Sequence, residues 1–228
     1  GDVTNSVIVN NGAINAGANG IAVVGGDGGR FGTGGNGGLT SFATSIGGAG
    51  GAPGEGGPAP RSADEGDPGH SAGENGDSGA RGQTLRISAD GSAGHGGDVR
   101  DNTILNTGTI AAGGSGIHIA GGSGSVNGQA VNNQVTNDVM GMISGNVGVH
   151  FGEGTDNYFG NAGTLTGHGG VALNFTSGSN EAVFLRNSVT NGLVDGGIGD
   201  DLFVLNNNAR ITGAIAGNGS GDNDTMRL

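Results

Sequence analysis

The sequence contains no cysteine, no tryptophan and no lysine, so all eight basic residues are arginine. Aromatic residues make up 4% of the chain and charged residues 12%, against about 25% charged residues in an ordinary globular domain. Without cysteine, no disulfide framework can stabilise the chain outside the cell, so repeated packing must do so. Because little large apolar surface is available for burial, a compact two-layer domain is not expected.

The charge balance and the lack of long apolar runs exclude two classes of partner. The net charge is −12 and the isoelectric point is near 4.4, which disfavours binding to nucleic acid or to anionic membranes. No window approaches the roughly 18 apolar residues of a membrane-spanning helix, so no membrane insertion is expected. The chain opens Gly1-Asp2-Val3 without an initiator methionine, and we expect a processed product or an excised segment.

What the sequence does contain is an internal repeat. Residues 2–26 match residues 98–122 without a gap. The matched pairs include Asp2 with Asp98, Val3 with Val99, Ile8 with Ile104, Asn10 with Asn106, Gly12 with Gly108, Ile14 with Ile110 and Ile21 with Ile117. Such self-similarity is typical of solenoids, in which each repeat is one coil of a stack.

Further copies follow at shorter offsets. The next copy pairs Val99 with Val131, Ile117 with Val149 and Ile119 with Phe151. A still shorter offset pairs Val149 with Val171, Phe151 with Leu173, Val189 with Ile211 and Leu193 with Ile215. These spacings predict a coil of about 22 residues with insertions after the first and second copies. Nothing in the sequence reads as an amphipathic helix.

Within each copy, short strands alternate between large apolar and other residues. The alternation predicts inward ladders made of Ile21, Ile117, Val149 and Val171 and of Val23, Ile119, Phe151 and Leu173. Gly and Asn between the strands supply the positive-φ corners of a coil. Asn10 and Asn106 occupy equivalent turns, where stacked amides can satisfy backbone groups.

The pattern N-x-G-x-I-x-x-G-x-x-G-I-x-V, which runs from Asn10 to Val23 and recurs from Asn106, resembles the passenger domains of bacterial autotransporters and related surface adhesins. The segment from Asn191 to Leu228 shares this resemblance. The resemblance implies an all-β fold, a right-handed parallel β-helix (β-solenoid), displayed or released outside a Gram-negative cell. It identifies no ligand.

We divide the sequence into a first solenoid coil (1–26), an inserted glycine-rich lobe (27–83) and the remaining coils (84–228). Glycine recurs every third residue in three runs, of which the first begins at the last residue of the first coil: from Gly26 to Gly38, from Gly48 to Gly57 and from Gly73 to Gly82. Period three fits extended helices of the polyproline-II type, and the lobe resembles the polyglycine-II bundles of some antifreeze proteins and phage adhesin tips. A flexible loop is the alternative.

The candidate metal ligands lie near the end of the sequence. The nonapeptide from Gly196 to Val204 fits the calcium repeat G-G-x-G-x-D-x-U-x. The candidate calcium ligands are Asp200, Asp201, Asp222 and Asp224. Like positions in calcium rolls recur over two nonapeptides, or about 18 residues, and Asp201 and Asp224 lie further apart than this. A Gly/Asp turn before a strand is therefore the favoured interpretation. No other cofactor is expected.

Other polar residues give weaker signals. His118 and His150 occupy equivalent outward positions, beside Ala22 and Ala172, where two imidazoles could hold a transition metal or simply face solvent. An ice-binding face would need a ladder of Thr-x-Thr motifs, and only Thr107–Thr109 and Thr164–Thr166 occur. No catalytic spacing of Ser, His and Asp is present.

We therefore expect a non-enzymatic structural or adhesive module at the bacterial surface, which stacks with itself or binds a cell-surface or matrix ligand. The terminal coils lack obvious polar caps at Val3–Val9 and at Met226–Leu228, and uncapped solenoids tend to stack. The alternative is a carbohydrate-active enzyme, a polysaccharide lyase or hydrolase, with a groove on an outer strand face. An ice- or calcium-binding solenoid is a minor alternative.

Overall fold

The computed structural model describes residues 1–28, 85–88, 95–124 and 126–228, and for 85–88 it describes the backbone alone. The inserted lobe predicted at 27–83 lies outside the described residues, apart from Asp27 and Gly28. The described residues form β-strands and turns. The strands are β1 (Val3–Thr4), β2 (Val7–Asn10), β3 (Ala13–Ala16), β4 (Ile21–Val24), β5 (Leu85–Ser88), β6 (Val99–Arg100), β7 (Thr103–Asn106), β8 (Thr109–Ala112), β9 (Ser115–Ala120), β10 (Ala130–Val131), β11 (Gln134–Asn137), β12 (Met142–Phe151), β13 (Gly154–Thr155), β14 (Tyr158–Asn161), β15 (Thr164–Phe175), β16 (Glu181–Phe184), β17 (Val189–Asp195), β18 (Leu202–Leu205), β19 (Arg210–Ile211), β20 (Ile215–Ala216) and β21 (Thr225–Arg227).

The strands stack into three sheets, and every strand pairing in the described parts of the chain is parallel. Face A has the order β1-β6-β10-β13, and face B has the order β2-β7-β11-β14-β16-β18-β21. Face C contains β19-β17-β15-β12-β9-β4-β5, with β3, β8 and β20 alongside. Each of the first four coils contributes in turn to the three faces, and the later coils contribute strands to faces B and C. This is the architecture of a parallel β-solenoid and confirms the repeat and the all-β prediction.

The corner between faces A and B is built from stacked left-handed residues. Asn5, Asp101, Asn132 and Asp156 have φ angles of 54°, 58°, 53° and 58°. Asn and Asp tolerate this region better than other residues with a side chain, because their short polar groups hydrogen-bond locally. Nδ2 of Asn132 donates to Oδ1 of Asp101 at 2.6 Å, so the corners also hold one another.

The core runs along the stack as inward ladders of apolar side chains. On face B, Ile8, Ile104, Val135, Phe159, Ala182 and Phe203 succeed one another. On face C, the inward ladders are Ile14, Ile110, Ile143 and Leu165, then Ile21, Ile117, Val149, Leu173 and Val194. All of these residues are buried, and each fully buried aliphatic side chain stabilises the fold by about 1.5–3 kcal/mol.

The spacing of equivalent corner residues confirms a coil of roughly the predicted length. Hydrogen bonds at the corner before face B join residues of successive coils, namely Asn133, Asn157, Asn180, Asp201 and Asp224. Their separations along the chain are 24, 23, 21 and 23 residues. The step from Asn102 to Asn133 is 31 residues, and the step from Asn10 to Asn106 is 96 residues. Insertions therefore follow the first and second coils, as predicted.

Part of the predicted register is wrong by two residues. Val149 pairs with Leu173 and Phe151 with Phe175, whereas the sequence repeat had assigned them to Val171 and Leu173. The predicted offset holds only as far as Gly145, which pairs with Gly167. A β-bulge then adds residues to β15 and lengthens the offset for the rest of the strand.

Three further pairings are wrong by one residue. Val99 pairs with Ala130 rather than with Val131. Thr190 and Val194 pair with Ile211 and Ile215, in the places predicted for Val189 and Leu193. A slip of one residue exchanges the buried and exposed faces of a strand, and the structure buries Ala130, Thr190 and Val194.

The strand β5 returns to the outer edge of the first coil. It pairs with β4, on the side away from β9, through Ile21–Leu85 and Val24–Ser88. The segment 84–228 thus rejoins the solenoid beside the first coil before it begins the second. Among the described strands of the first coil, the edge of β4 is covered by β5, whereas β1, β2 and β3 pair on one side only. The segment Val3–Val9, for which no polar cap was predicted, contains β1 and β2 and so includes none of the edge that β5 covers.

The residues that the structure describes include no helix with the length and apolar character needed to cross a membrane.

Candidate functional site

One polar row inside the solenoid is a ladder of asparagine amides at the corner between faces B and C. Nδ2 of Asn10 donates to Oδ1 of Asn106 at 2.8 Å, and Asn106 donates likewise to Asn137 at 2.8 Å. Asn137 donates to Asn161 at 2.9 Å, and Asn161 donates to the Thr190 hydroxyl at 3.0 Å. This confirms the predicted stacking of Asn10 and Asn106. The amides also bond corner carbonyls such as that of Gly141.

A second buried ladder lies at the corner between faces A and B and was missed by the sequence analysis. Its members are Asn102, Asn133, Asn157 and Asn180. The backbone N–H and the Nδ2 group of each asparagine donate to Oδ1 of the next. The sequence signal was an Asn directly before four of the face-B strands, β7, β11, β14 and β16, which becomes visible only once the coils are aligned.

The second ladder ends at Asp201, one of the four predicted calcium ligands. The amide and Nδ2 of Asn180 donate to Oδ1 of Asp201 at 2.8 and 3.2 Å. Oδ2 of Asp201 is buried without a hydrogen-bond partner, and the residue is 2% exposed. Burial raises the pKa of Asp201. The hydrogen bonds from Asn180 lower this pKa, whereas the negative charges of Asp224 and Asp222 raise it further. The resulting pKa is about 6.

The other three predicted calcium ligands bond backbone amides of the neighbouring coil. Asp224 accepts from the amide of Asp201 at 2.9 Å, Asp222 from Gly199 at 2.8 Å, and Asp200 from Asn223 at 2.8 Å. Within the described ranges, no three His, Cys, Asp or Glu side chains are grouped to hold a metal ion. The four aspartates act in this structure as caps between coils, and calcium binding stays a prediction.

The glycines of the nonapeptide have structural roles of their own. Gly197 and Gly199 have φ angles of 75° and 125°, in the region that favours glycine. A Cβ atom on Gly196 would lie 2.6 Å from Oδ2 of Asp201 and 2.9 Å from Cζ of Phe203. The motif therefore specifies a tight turn beneath Asp201, which agrees with the favoured interpretation of the sequence.

The two predicted outward histidines do meet. His118 on β9 pairs with His150 on β12, and their Nδ1 atoms lie 3.1 Å apart. The neighbour of His118 is Ala22, as predicted, whereas the neighbour of His150 is Asn174 rather than Ala172 because of the bulge in β15. Burial lowers the pKa of both rings, and the charge of His150 adds to this at His118, whose pKa falls to about 4.

A separate acidic group lies on face A. The carboxylate of Asp98 accepts a hydrogen bond from the guanidinium of Arg100, whose Nε lies 3.1 Å from Oδ2. It also accepts a hydrogen bond from the backbone amide of Gln129 at 2.8 Å. Burial of Asp98 raises its pKa, but the bonds from Gln129 and Arg100 outweigh this and hold the pKa below its usual range. Asp2 accepts the amide of Asp98 at 2.8 Å. Both carboxylates bond backbone amides of neighbouring coils, and Asp98 lacks the raised pKa of a general acid.

The Thr-x-Thr motifs do not form a ladder on face C. In the row of paired residues that contains Thr109 and Thr164, Met142 lies between the two threonines. The next residue of this row, paired with Thr164 on the neighbouring strand, is Val189. A regular threonine face is therefore not formed by these motifs.

Comparisons of the chain with protein-family models, with curated proteins and with solved structures find no match.

Proposed function

We propose that this chain is a non-enzymatic structural or adhesive module of a bacterial surface, built as a right-handed parallel β-solenoid of the autotransporter-passenger type. The right-handed sense is supported by a general rule: parallel strands joined by a crossover connection in one sheet are right-handed in about 98% of cases. The extracellular location is supported by the net charge of −12 and by the resemblance of the repeat to surface adhesins.

The observation that carries the structural role is the use made of the polar side chains. The buried amides of Asn106, Asn137 and Asn133 and the carboxylates of Asp201 and Asp224 bond neighbouring coils. Such repetition gives a stiff rod without disulfides, because successive coils are held together by backbone pairing and by buried amides or carboxylates. A stiff rod is suited to display.

Self-association is supported by the first coil. In the described residues, β2 pairs only with β7, and its outward side chains Val7 and Val9 are 73% and 45% exposed. An unpaired, apolar edge strand is a template for a strand of a second copy. At the corner between faces B and C, Val139 and Met140 are also exposed, at 69% and 80%, and offer a site for lateral contact.

Light scattering and electron microscopy over a range of concentrations test this assembly. We expect the chain to form end-to-end particles, and we expect Val7→Lys to abolish them because a charge on an edge strand blocks pairing. Val139→Lys is the matched control: it adds the same charge at the lateral corner, away from the edge strand, and is expected to leave end-to-end association unchanged. If Val139→Lys alone abolishes association, contact is lateral; a wild-type chain that stays monomeric throughout excludes self-assembly.

Adhesion and catalysis are separated by two further measurements. Binding of the chain to immobilised matrix proteins and bacterial or host glycans is expected if the module is adhesive. Release of reducing or unsaturated ends from a panel of acidic and neutral polysaccharides would instead support the carbohydrate-active alternative. A monomer that binds none of these surfaces would contradict the adhesive and structural proposal.

We also propose that the glycine-rich lobe at 27–83 is a small bundle of polyglycine-II helices, supported by its period-three glycines. An experimental structure with φ of about −75° and ψ of about +145° through the three runs would agree with this. Irregular turns through the same runs would contradict it.

A further inference from the structure

The solenoid holds two imidazoles side by side on its outer surface. His118 and His150 stand on paired strands of the second and third coils, with ring centroids 4.9 Å apart and Nδ1 atoms 3.1 Å apart. The flanking residues Ile117, Ile119 and Phe151 are buried in the core. Because these anchors fix both backbones, the spacing of the two rings is set by the sheet itself.

The hydrogen bonds around Thr176 assign a tautomer to His150. When the hydroxyl of Thr176 donates to the carbonyl oxygen of Phe151 at 3.0 Å, its oxygen accepts the Nε2–H proton of His150, whose Nε2 lies 3.1 Å away. In the neutral ring, Nδ1 of His150 therefore carries the lone pair and faces Nδ1 of His118.

This is the arrangement of a metal-ligating histidine, in which the second ring nitrogen donates to a fixed oxygen that orients the ring. Without metal, Nδ1–H of His118 donates to Nδ1 of His150. A metal ion takes the place of that proton once His118 adopts its other neutral tautomer, with the proton on Nε2.

The separation of the two donors suits a shared ion. Two metal–nitrogen bonds of about 2.0–2.1 Å to atoms 3.1 Å apart enclose an angle of about 100°. This angle lies between those of tetragonal and tetrahedral coordination. Imidazole suits Cu²⁺, Ni²⁺ and Zn²⁺, and Cu²⁺ binds most tightly in the general order of stability.

We propose that His118 and His150 form a two-histidine site for a divalent transition-metal ion, preferentially Cu²⁺, which links the second and third coils. Water completes the coordination, since in the described ranges no third His, Cys, Asp or Glu side chain joins the pair. On the side of His118 the nearby residues Ala22 and Ala120 have short side chains, whereas the neighbour of His150 on β15 is Asn174.

Titration calorimetry and electron paramagnetic resonance with Cu²⁺ on the tag-free 228-residue chain test the proposal. We expect one tight Cu²⁺ equivalent whose spectrum shows two imidazole nitrogens, together with a rise in melting temperature. His118→Ala and His150→Ala should each weaken binding at least tenfold and remove the thermal shift. His168→Ala makes the same change at an exposed histidine and should leave the Cu²⁺ affinity and the thermal shift unchanged.

Thr176→Val tests the positioning role of the hydroxyl. It removes the acceptor for Nε2–H of His150 but no metal ligand, so we expect Cu²⁺ to bind about tenfold more weakly with two nitrogens still in the spectrum. Wild-type binding that is no tighter than in His118→Ala, or a spectrum with fewer than two nitrogens, would overturn the proposal. The nitrogen count is read from the wild type, so the test stands even if a variant fails to fold.

Discussion

Oδ1 of Asp201 accepts hydrogen bonds from both the backbone amide and Nδ2 of Asn180, at 2.8 and 3.2 Å. Asp201 thereby takes the place that asparagine holds in the preceding coils of the ladder. An asparagine there would direct its Nδ2 group to the next acceptor, as Asn157 does towards Asn180. In Asp201 the corresponding atom is the buried Oδ2, which has no donor to meet.

Asp201→Asn is therefore expected to stabilise the protein at pH 7. The new Nδ2 group can donate to Oδ1 of Asp224, which already accepts the amide of residue 201. Replacement of a buried unpartnered carboxylate by a paired amide should add about 2 kcal/mol to the free energy of unfolding. Chemical denaturation at pH 7 measures the change, and Asp200→Asn, at an exposed position, is the control that alters charge equally.

The same site predicts a dependence of stability on pH. The pKa of Asp201 rises to about 6 in the folded chain, against the ordinary 3.8. Its contribution is fully present below about pH 4, where the carboxyl is protonated in both states, and it is lost as the pH rises through about 6. The stability gap between Asp201→Asn and wild type should therefore shrink as the pH falls from 7 to 4. A gap that stays constant would contradict the raised pKa.

The other ladder predicts a large effect for Asn137→Ala. Its amide joins Asn106, Asn161 and the carbonyl of Gly141. Loss of these bonds leaves buried polar groups without partners, and we expect the free energy of unfolding to fall by about 3 kcal/mol. Asn207→Ala, at an exposed corner of a later coil, should change it by less than about 0.5 kcal/mol. Equal effects in urea denaturation would show that the ladder is not stabilising.

The register of the core is tested by a double-mutant cycle. The rings of Phe151 and Phe175 are stacked, with centroids 5.0 Å apart and an interplanar angle of 27°. Phe151→Ala should cost about 3–5 kcal/mol, and its coupling to Phe175→Ala should be about 0.5–1.5 kcal/mol. A coupling of Phe151 to Leu173→Ala that exceeds its coupling to Phe175→Ala would restore the register that the sequence favoured.

Gly197→Ala tests the turn in the nonapeptide. The φ angle of 75° disfavours any side chain, and an added Cβ would clash with the carbonyl oxygen of Phe175. We expect a fall of at least about 2 kcal/mol in the free energy of unfolding, without calcium present. Gly12→Ala, where an added Cβ meets nothing within 4 Å, is the control. A loss of stability that appears only with calcium present would favour the metal interpretation.

Much of the fold was visible in the sequence because its signals are local. Alternation of apolar residues in Ile21–Val24 and Val149–Phe151 identified inward strands, and Asn10 with Asn106 identified a stacked corner. The pairing of His118 with His150 also followed from the repeat, since no bulge lies between the two copies at that point.

The sequence by itself determined that the chain is a stack of short strands with apolar residues inside, because side-chain alternation and corner residues act within a few positions. The tertiary structure alone decided the register between coils, which changes by one or two residues at each bulge and loop without a mark in the local pattern. It alone joined Asn180 to Asp201 and brought β5 to the edge of β4. It also placed the hydroxyl of Thr176 between Nε2 of His150 and the carbonyl oxygen of Phe151. These relationships depend on which strands lie side by side, and that is fixed by burial and hydrogen bonding summed over the whole stack.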